Sequence, residues 1–150
     1  MPVKVEANLR GVSLFIEGLE RELLDLRPLW DRLINRVIIA DIVEVFQSDG
    51  RSRWPPRVDN LPHPLLRKSR RLYRSLTEQS HSDNISNKGR TSLEYGSSVP
   101  YHNIHEEGRG RVPARPVLGL LTEDSNFEQE IEREINDYFQ DRINQLERRV

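Results

Sequence analysis

The densest set of side chains able to do acid–base or metal chemistry is Tyr101-His102-Asn103-Ile104-His105-Glu106-Glu107, which offers two imidazoles and two carboxylates within six residues. A metal-dependent hydrolase would need such groups to converge on one ion and leave a position open for water. Pro100 before the run and Gly108 after it favour a strand entering a loop. In a strand, residues three apart point to opposite faces, so His102 and His105 would not share an ion, and hydrogen-bonded structural histidines are the better reading. The chain has four His and no Cys, and it lacks Gly-x-Ser-x-Gly, Gly-x-x-x-x-Gly-Lys and Gly-x-Gly-x-x-Gly. Nothing resembles a catalytic nucleophile or a phosphate cradle, so neither an enzyme nor a cofactor or metal is expected.

A second cluster is basic. Arg67-Lys68-Ser69-Arg70-Arg71-Leu72-Tyr73-Arg74 offers Arg67, Lys68, Arg70, Arg71 and Arg74 to phosphates and Tyr73 to a base, the equipment of a small nucleic-acid-binding regulator. Against that reading stand 7% aromatic residues and a pI near 6.4, where dedicated nucleic-acid domains run above about 9. A third cluster suits protein contacts: Trp54, preceded by Arg51 and Arg53, lies in a segment with Pro55, Pro56, Pro62 and Pro64. Trp and Arg anchor interfaces, so residues 51–64 are expected to form an extended arm reaching over a neighbour. Arg115, held between Pro113 and Pro116, is expected to bind a carboxylate or backbone carbonyls while Val117, Leu118 and Leu120 enter the core.

The elements that must position these groups fit one domain, residues 1–150 with a single core. The chain is 35% hydrophobic and 31% charged with a mean hydropathy of -0.70, and no apolar run approaches a membrane span. The start of the chain lacks the apolar core of a signal peptide, so neither secretion nor a membrane is expected. Net charge is uneven: -3 over residues 1–50, +7 over 51–115 and -5 over 116–150. Such unlike blocks suit pairing between copies of a protein.

Alternation at Val3 and Val5 predicts a short edge strand over residues 2–8. Val12, Phe15, Ile16, Leu19, Leu23 and Leu26 recur at helical spacing, predicting a helix over 12–25. A second helix is predicted from Pro28 to Gln47, with an apolar face wide enough to be buried on more than one side, stopped by Ser48-Asp49-Gly50. Residues 65–76 read as a short helix, and 75–81, 90–95 and 100–106 as strands of a small antiparallel meander. After the apolar run 117–121, a helix capped by Thr122 or Ser125 carries a narrow stripe of Phe127, Ile131, Ile135, Tyr138, Phe139, Ile143 and Leu146, with 140–150 as a helical tail. The expected class is α+β, with N-terminal helices and a long C-terminal helix packed on a small antiparallel sheet. Phe127 and Tyr138 join Arg51, Arg53, Trp54 and Arg115 as interface candidates.

The order of three landmarks carries a resemblance. They are Phe46-Gln47-Ser48-Asp49-Gly50-Arg51-Ser52-Arg53-Trp54-Pro55, then Val99-Pro100-Tyr101-His102-Asn103-Ile104-His105-Glu106-Glu107-Gly108, then Val112-Pro113-Ala114-Arg115-Pro116-Val117-Leu118-Gly119-Leu120. Over most of residues 29–140 the chain resembles the phage virion morphogenesis family, the tail completion proteins of tailed bacteriophages. It departs from the family pattern at Arg70, where a Gly follows Ser/Thr, and at His102, where a small residue follows Tyr. The resemblance implies a virion protein of the neck, at the tail top, present in the host cytoplasm during assembly. It also implies a homo-oligomeric ring, commonly a hexamer, that completes the tail and helps join it to the head. The implied partners are further copies, the tail terminator, tube or sheath, the connector, and non-specific DNA in the channel.

Overall fold

A computed structural model describes residues 3–7, 11–16, 25–56 and 70–148. The chain is an α+β protein built on one four-stranded antiparallel sheet of order β1-β2-β4-β3. The expected edge strand is β1, Val3–Ala7, and it pairs with β2, Gly11–Ile16, in the register Val5↔Leu14.

The described part of the helix expected over 12–25 is therefore a strand. Val12 and Leu14 are both fully buried and lie on one face, so the operating period is two. The short run Val12-Ser13-Leu14-Phe15-Ile16 fits either period, and tertiary pairing decides. Gly11 belongs to that decision, since a Cβ there would lie 2.2 Å from the Tyr95 carbonyl oxygen of the neighbouring strand.

The expected second helix is present as α1 (Arg27–Leu33), a π-helical turn (Ile34–Ile38) and α2 (Ile39–Gln47). Pro28 sits in its first turn, and Gly50 takes the left-handed conformation beyond its end. Leu29, Trp30, Leu33, Ile34, Val37, Ile38, Ile42, Val45 and Phe46 are all buried, as so wide an apolar face requires. Trp30 donates its indole N–H to the Gly89 carbonyl at 2.6 Å, tying this helix to the hairpin turn.

The meander is rearranged. Residues 71–77 form α3 (Arg71–Thr77), the described part of the helix expected over 65–76; the strand expected over 75–81 is absent, since Ser75 and Leu76 share a buried helical face with Leu72 and residues 78–81 are turn. β3 (Asn84–Lys88) and β4 (Ser92–Ser97) make a hairpin, so the strand expected over 90–95 is present as β4, shifted two residues along, and its partner β3 lies between the expected strands. β4 also pairs with β2, placing Leu14 beside Leu93 and Val12 beside Tyr95 on the core face. Burial pushes the Tyr95 phenol up to about 12, and its hydroxyl donates to the Leu76 carbonyl at 2.7 Å.

The strand expected over 100–106 is a helix, α4 (His102–Glu107), ended by Gly108 at φ +76°. The apolar run at 117–121 becomes α5 (Leu118–Glu123), and the long helix is α6, Ser125–Glu147. At its start the Asp124 carboxylate accepts the Asn126 amide at 2.9 Å, while the Thr122 hydroxyl donates back to the Gly119 carbonyl at 3.1 Å instead of capping; the Ser125 side chain lies outside the described residues. α3 lies against β4 and α5 against β1 and β2, while α6 packs across α1, the π turn and α5. Arg32 anchors it by reaching Glu134 at 2.8 Å and Asp141 at 2.9 Å.

Candidate functional site

The three landmarks meet in one place. After α2 the chain turns through Asp49, Gly50, Arg51 and Ser52, all with φ between +50° and +68°. Three of these are not glycine, and each such residue costs about 1 kcal/mol or more, so the turn persists only because its surroundings fix it. Gly50 donates to the Val45 carbonyl at 2.8 Å, Ser52 to Ser48 at 3.0 Å and Trp54 to Asp49 at 3.2 Å. The Ser48 hydroxyl accepts the Arg51 amide at 3.0 Å. Gly50 is compulsory, because a Cβ would stand 2.2 Å from the Trp54 ring.

Trp54 lies inside its own chain, 5% exposed. It meets Phe46 edge-on at 5.6 Å, and Phe46 meets Tyr73 in the same way at 5.0 Å. Its indole N–H donates to the Pro116 carbonyl at 2.7 Å. The arm expected over 51–64 is therefore corrected for residues 51–56, which fold back on the chain; residues 57–64 lie outside the described residues. The apolar company that Trp54 lacked nearby comes from α2 and from residues some sixty positions away.

Arg115 closes the other side. Its Nε and Nη2 donate to the Pro55 carbonyl at 3.1 and 2.8 Å, and Nη2 also reaches Pro56 at 3.3 Å, while its amide donates to the His105 carbonyl at 2.6 Å. The expected grip on backbone carbonyls is present, with Val117, Leu118 and Leu120 buried beside it. Arg51 pairs with Glu44 and Asp124, both at 3.0 Å, and donates to the Leu120 carbonyl at 3.3 Å. Arg53 reaches Glu123 at 3.2 Å. A cleft of about 350 Å³ lies among Arg51, Arg53, Leu120, Glu123 and Asp124.

Glu106 is the functional side chain that spacing missed. One oxygen accepts the amides of Val117 and Leu118 at 2.9 and 2.8 Å, and the other accepts that of Gly119 at 3.3 Å, so the carboxylate occupies the start of α5. His102 Nε2 lies 3.2 Å from the same carboxylate, one helical turn back. Burial alone would raise the Glu106 carboxyl, but the His102 contact and the Val117 and Leu118 amides outweigh it and hold the carboxyl below its ordinary value. Burial, helped by Arg115, lowers the His105 imidazole. The helix brings His102 to Glu106 rather than to His105, and among the described residues no group of three His, Asp or Glu is placed to hold a metal ion. No sequence signal foretold this pairing: His102 and Glu106 become i,i+4 neighbours only once the segment is helical.

The remaining candidates fall elsewhere. Phe127 is a core residue, 1% exposed, and Tyr138 is half-buried. Arg67 and Lys68 lie outside the described residues. Arg70, left-handed at φ +61°, sits over the Tyr73 ring at 5.8 Å. Arg71 pairs with Asp83 at 2.8 Å and Arg74 with Glu78 at 3.2 Å. The described part of the basic segment is thus partnered largely by acids of its own chain.

The arrangement is mechanical in what it can do: it welds the end of α2, the loop before α5 and the start of α6 into one rigid unit. No family model matches the chain, and no curated protein or solved structure matches it either.

Proposed function

We propose that the protein is a structural subunit of a bacteriophage neck, assembling as a ring that completes the tail and helps join it to the head. One observation carries this reading. The first landmark of the resemblance, some forty residues or more from the other two in sequence, packs with them into a single clamp through Trp54 to Pro116, Arg115 to Pro55 and Glu106 to Leu118. Side chains that hold one another in place across three segments suit a structural subunit, a role that needs no catalytic centre.

Unlike charge on the middle and C-terminal thirds also suits a heterologous ring, in which each subunit gives one patch and receives another. The DNA-binding alternative is weakened by Asp83 and Glu78, which engage Arg71 and Arg74. Light scattering on the purified chain tests the proposal. A salt-sensitive multimer that restores tail completion in a lysate lacking the native ring is the expected result; a monomer at every concentration contradicts it.

A further inference from the structure

Asp49, Gly50, Arg51 and Ser52 form an unbroken run of positive φ, at +50°, +68°, +55° and +63°. Elsewhere among the described residues positive φ occurs one residue at a time, at Arg70, Gly108 and Gly110. Left-handed backbone is ordinarily visited singly, because the Cβ of an L-residue crowds the following carbonyl oxygen there. Of the four positions only Gly50 is glycine; Asp49 is a residue type that tolerates the region, and Arg51 and Ser52 are not. Asp49 and Ser52 are exposed, so burial of their side chains does not offset the strain.

What offsets it lies further along the chain. Trp54 is buried against Phe46, and its indole N–H donates to the Pro116 carbonyl at 2.7 Å. In the reverse sense, the Arg115 guanidinium donates to the Pro55 carbonyl at 3.1 and 2.8 Å. Arg51 and Arg53 add ion pairs to Asp124 and Glu123. Each of these contacts is made by a side chain, and among the described residues no backbone hydrogen bond joins 49–56 to 115–116. The turn's own amide bonds are local: Gly50, Ser52, Arg53 and Trp54 donate to the carbonyls of Val45, Ser48, Gly50 and Asp49.

We propose that residues 49–56 are a strap with two states. The closed state is the one described above; in the open state Asp49, Arg51 and Ser52 relax to negative φ, and Trp54 leaves Phe46 and Pro116. The rest of the clamp keeps its place, because Glu106 holds the Val117 and Leu118 amides without help from any strap residue. Opening sets the loss of Trp54 burial and of a few side-chain contacts against the relief of strain at three residues. It therefore costs less than opening α2, which buries Ile42, Val45 and Phe46 and has no positive φ to relieve. Arg115 is the catch: it bonds the strap to the loop before α5, and its release frees Trp54. The strap is a property of the single chain and does not depend on the ring reading.

Hydrogen exchange on the whole chain, followed by NMR, reads the opening directly. The amides of Gly50, Ser52, Arg53 and Trp54 and the Trp54 indole N–H are expected to exchange together, with protection at least tenfold below that of the Ile42 to Phe46 amides. The Trp30 indole, bonded to the Gly89 carbonyl, is the internal control and should stay protected. Ser52→Gly relieves strain without touching any contact that closes the strap, so it should slow the group's exchange at least threefold and leave α2 unchanged. Ser52→Ala, which keeps the strain, should match the parent, and Arg115→Ala should speed the group at least fivefold. Protection equal to that of α2 would mean one cooperative fold with no strap and would overturn the proposal. Rates graded along the chain and indifferent to Arg115→Ala would mean fraying at a helix end, and would overturn it equally.

Discussion

The clamp around Trp54 and the far end of α6 use the same kinds of residue to opposite ends. In the clamp, Arg51, Arg53 and Arg115 all find acceptors within the chain, and Trp54 is buried against Phe46 and Pro116. On α6 beyond Ile135, the outer side chains keep their charge in water and Ile143 is half exposed. Residue type alone does not separate an interface anchor from an internal one. What separates them is whether the backbone nearby offers acceptors: the prolines at 55, 56 and 116 leave carbonyls without strand or helix partners, and the Trp and Arg side chains fill them. A helix satisfies its own backbone, so the charges on α6 are free to reach elsewhere: Glu134 and Asp141 take Arg32, while Glu132 and Glu147 are exposed.

Substitutions at four positions would break or sharpen this contrast. The largest effect is expected from Trp54→Ala, which empties the clamp and should cost about 3–5 kcal/mol in urea unfolding. An exposed anchor would instead lose assembly while keeping stability. Glu106→Ala comes next, since it strands three amides at the start of α5 and the His102 contact; a loss of about 3 kcal/mol in the same measurement is expected, and Glu106→Gln, which keeps a carbonyl acceptor, should lose less. Arg115→Ala removes its bonds to Pro55 and Pro56 and should cost about 1–2 kcal/mol, with Trp54 fluorescence shifting to the red and cleavage rising near residue 56.

The smallest effect concerns pH. Burial, with a hydrogen bond to Glu130, pushes the Asp41 carboxyl, on α2, up to about 7 from its ordinary 3.8. Between those values the folded chain keeps a proton that the unfolded chain releases. The stabilisation is therefore full below about pH 4 and is lost as pH rises through 7. Asp41→Asn should flatten the decline in urea midpoint between pH 5 and pH 8; an unchanged decline would place its cause elsewhere.

Much of the fold was legible where a pattern was long. The helix from Arg27 to Gln47 repeats over five turns or more, so periodicity alone located it, and the pattern located α6 as well; but the expected stripe of α6 is corrected at Ile143, which is exposed, since of its described members only Phe127, Ile131 and Ile135 are buried. Short segments misled, because residues 12–16 and 100–106 fit both periods; pairing with β4 made the first a strand, and the reach of Glu106 to α5 accompanies helix in the second. In the site, Arg115 was legible because two prolines preset its backbone. Glu106, Asp124 and Glu44 were not, since each acts across a tertiary gap that no spacing records.

The central claim is that the clamp stabilises the subunit while the outer end of α6 serves assembly. Its most direct test is the mass in solution of the chain truncated after Tyr138, beside that of the full chain. The truncation removes Ile143, Glu147 and the Asp141 bond to Arg32 but leaves Phe127, Ile131 and Ile135 in place. The expected result is a multimer for the full chain and a folded monomer, with helical content and buried Trp54 fluorescence retained, for the truncated one. A truncated chain that assembles to the same mass as its parent would contradict the claim.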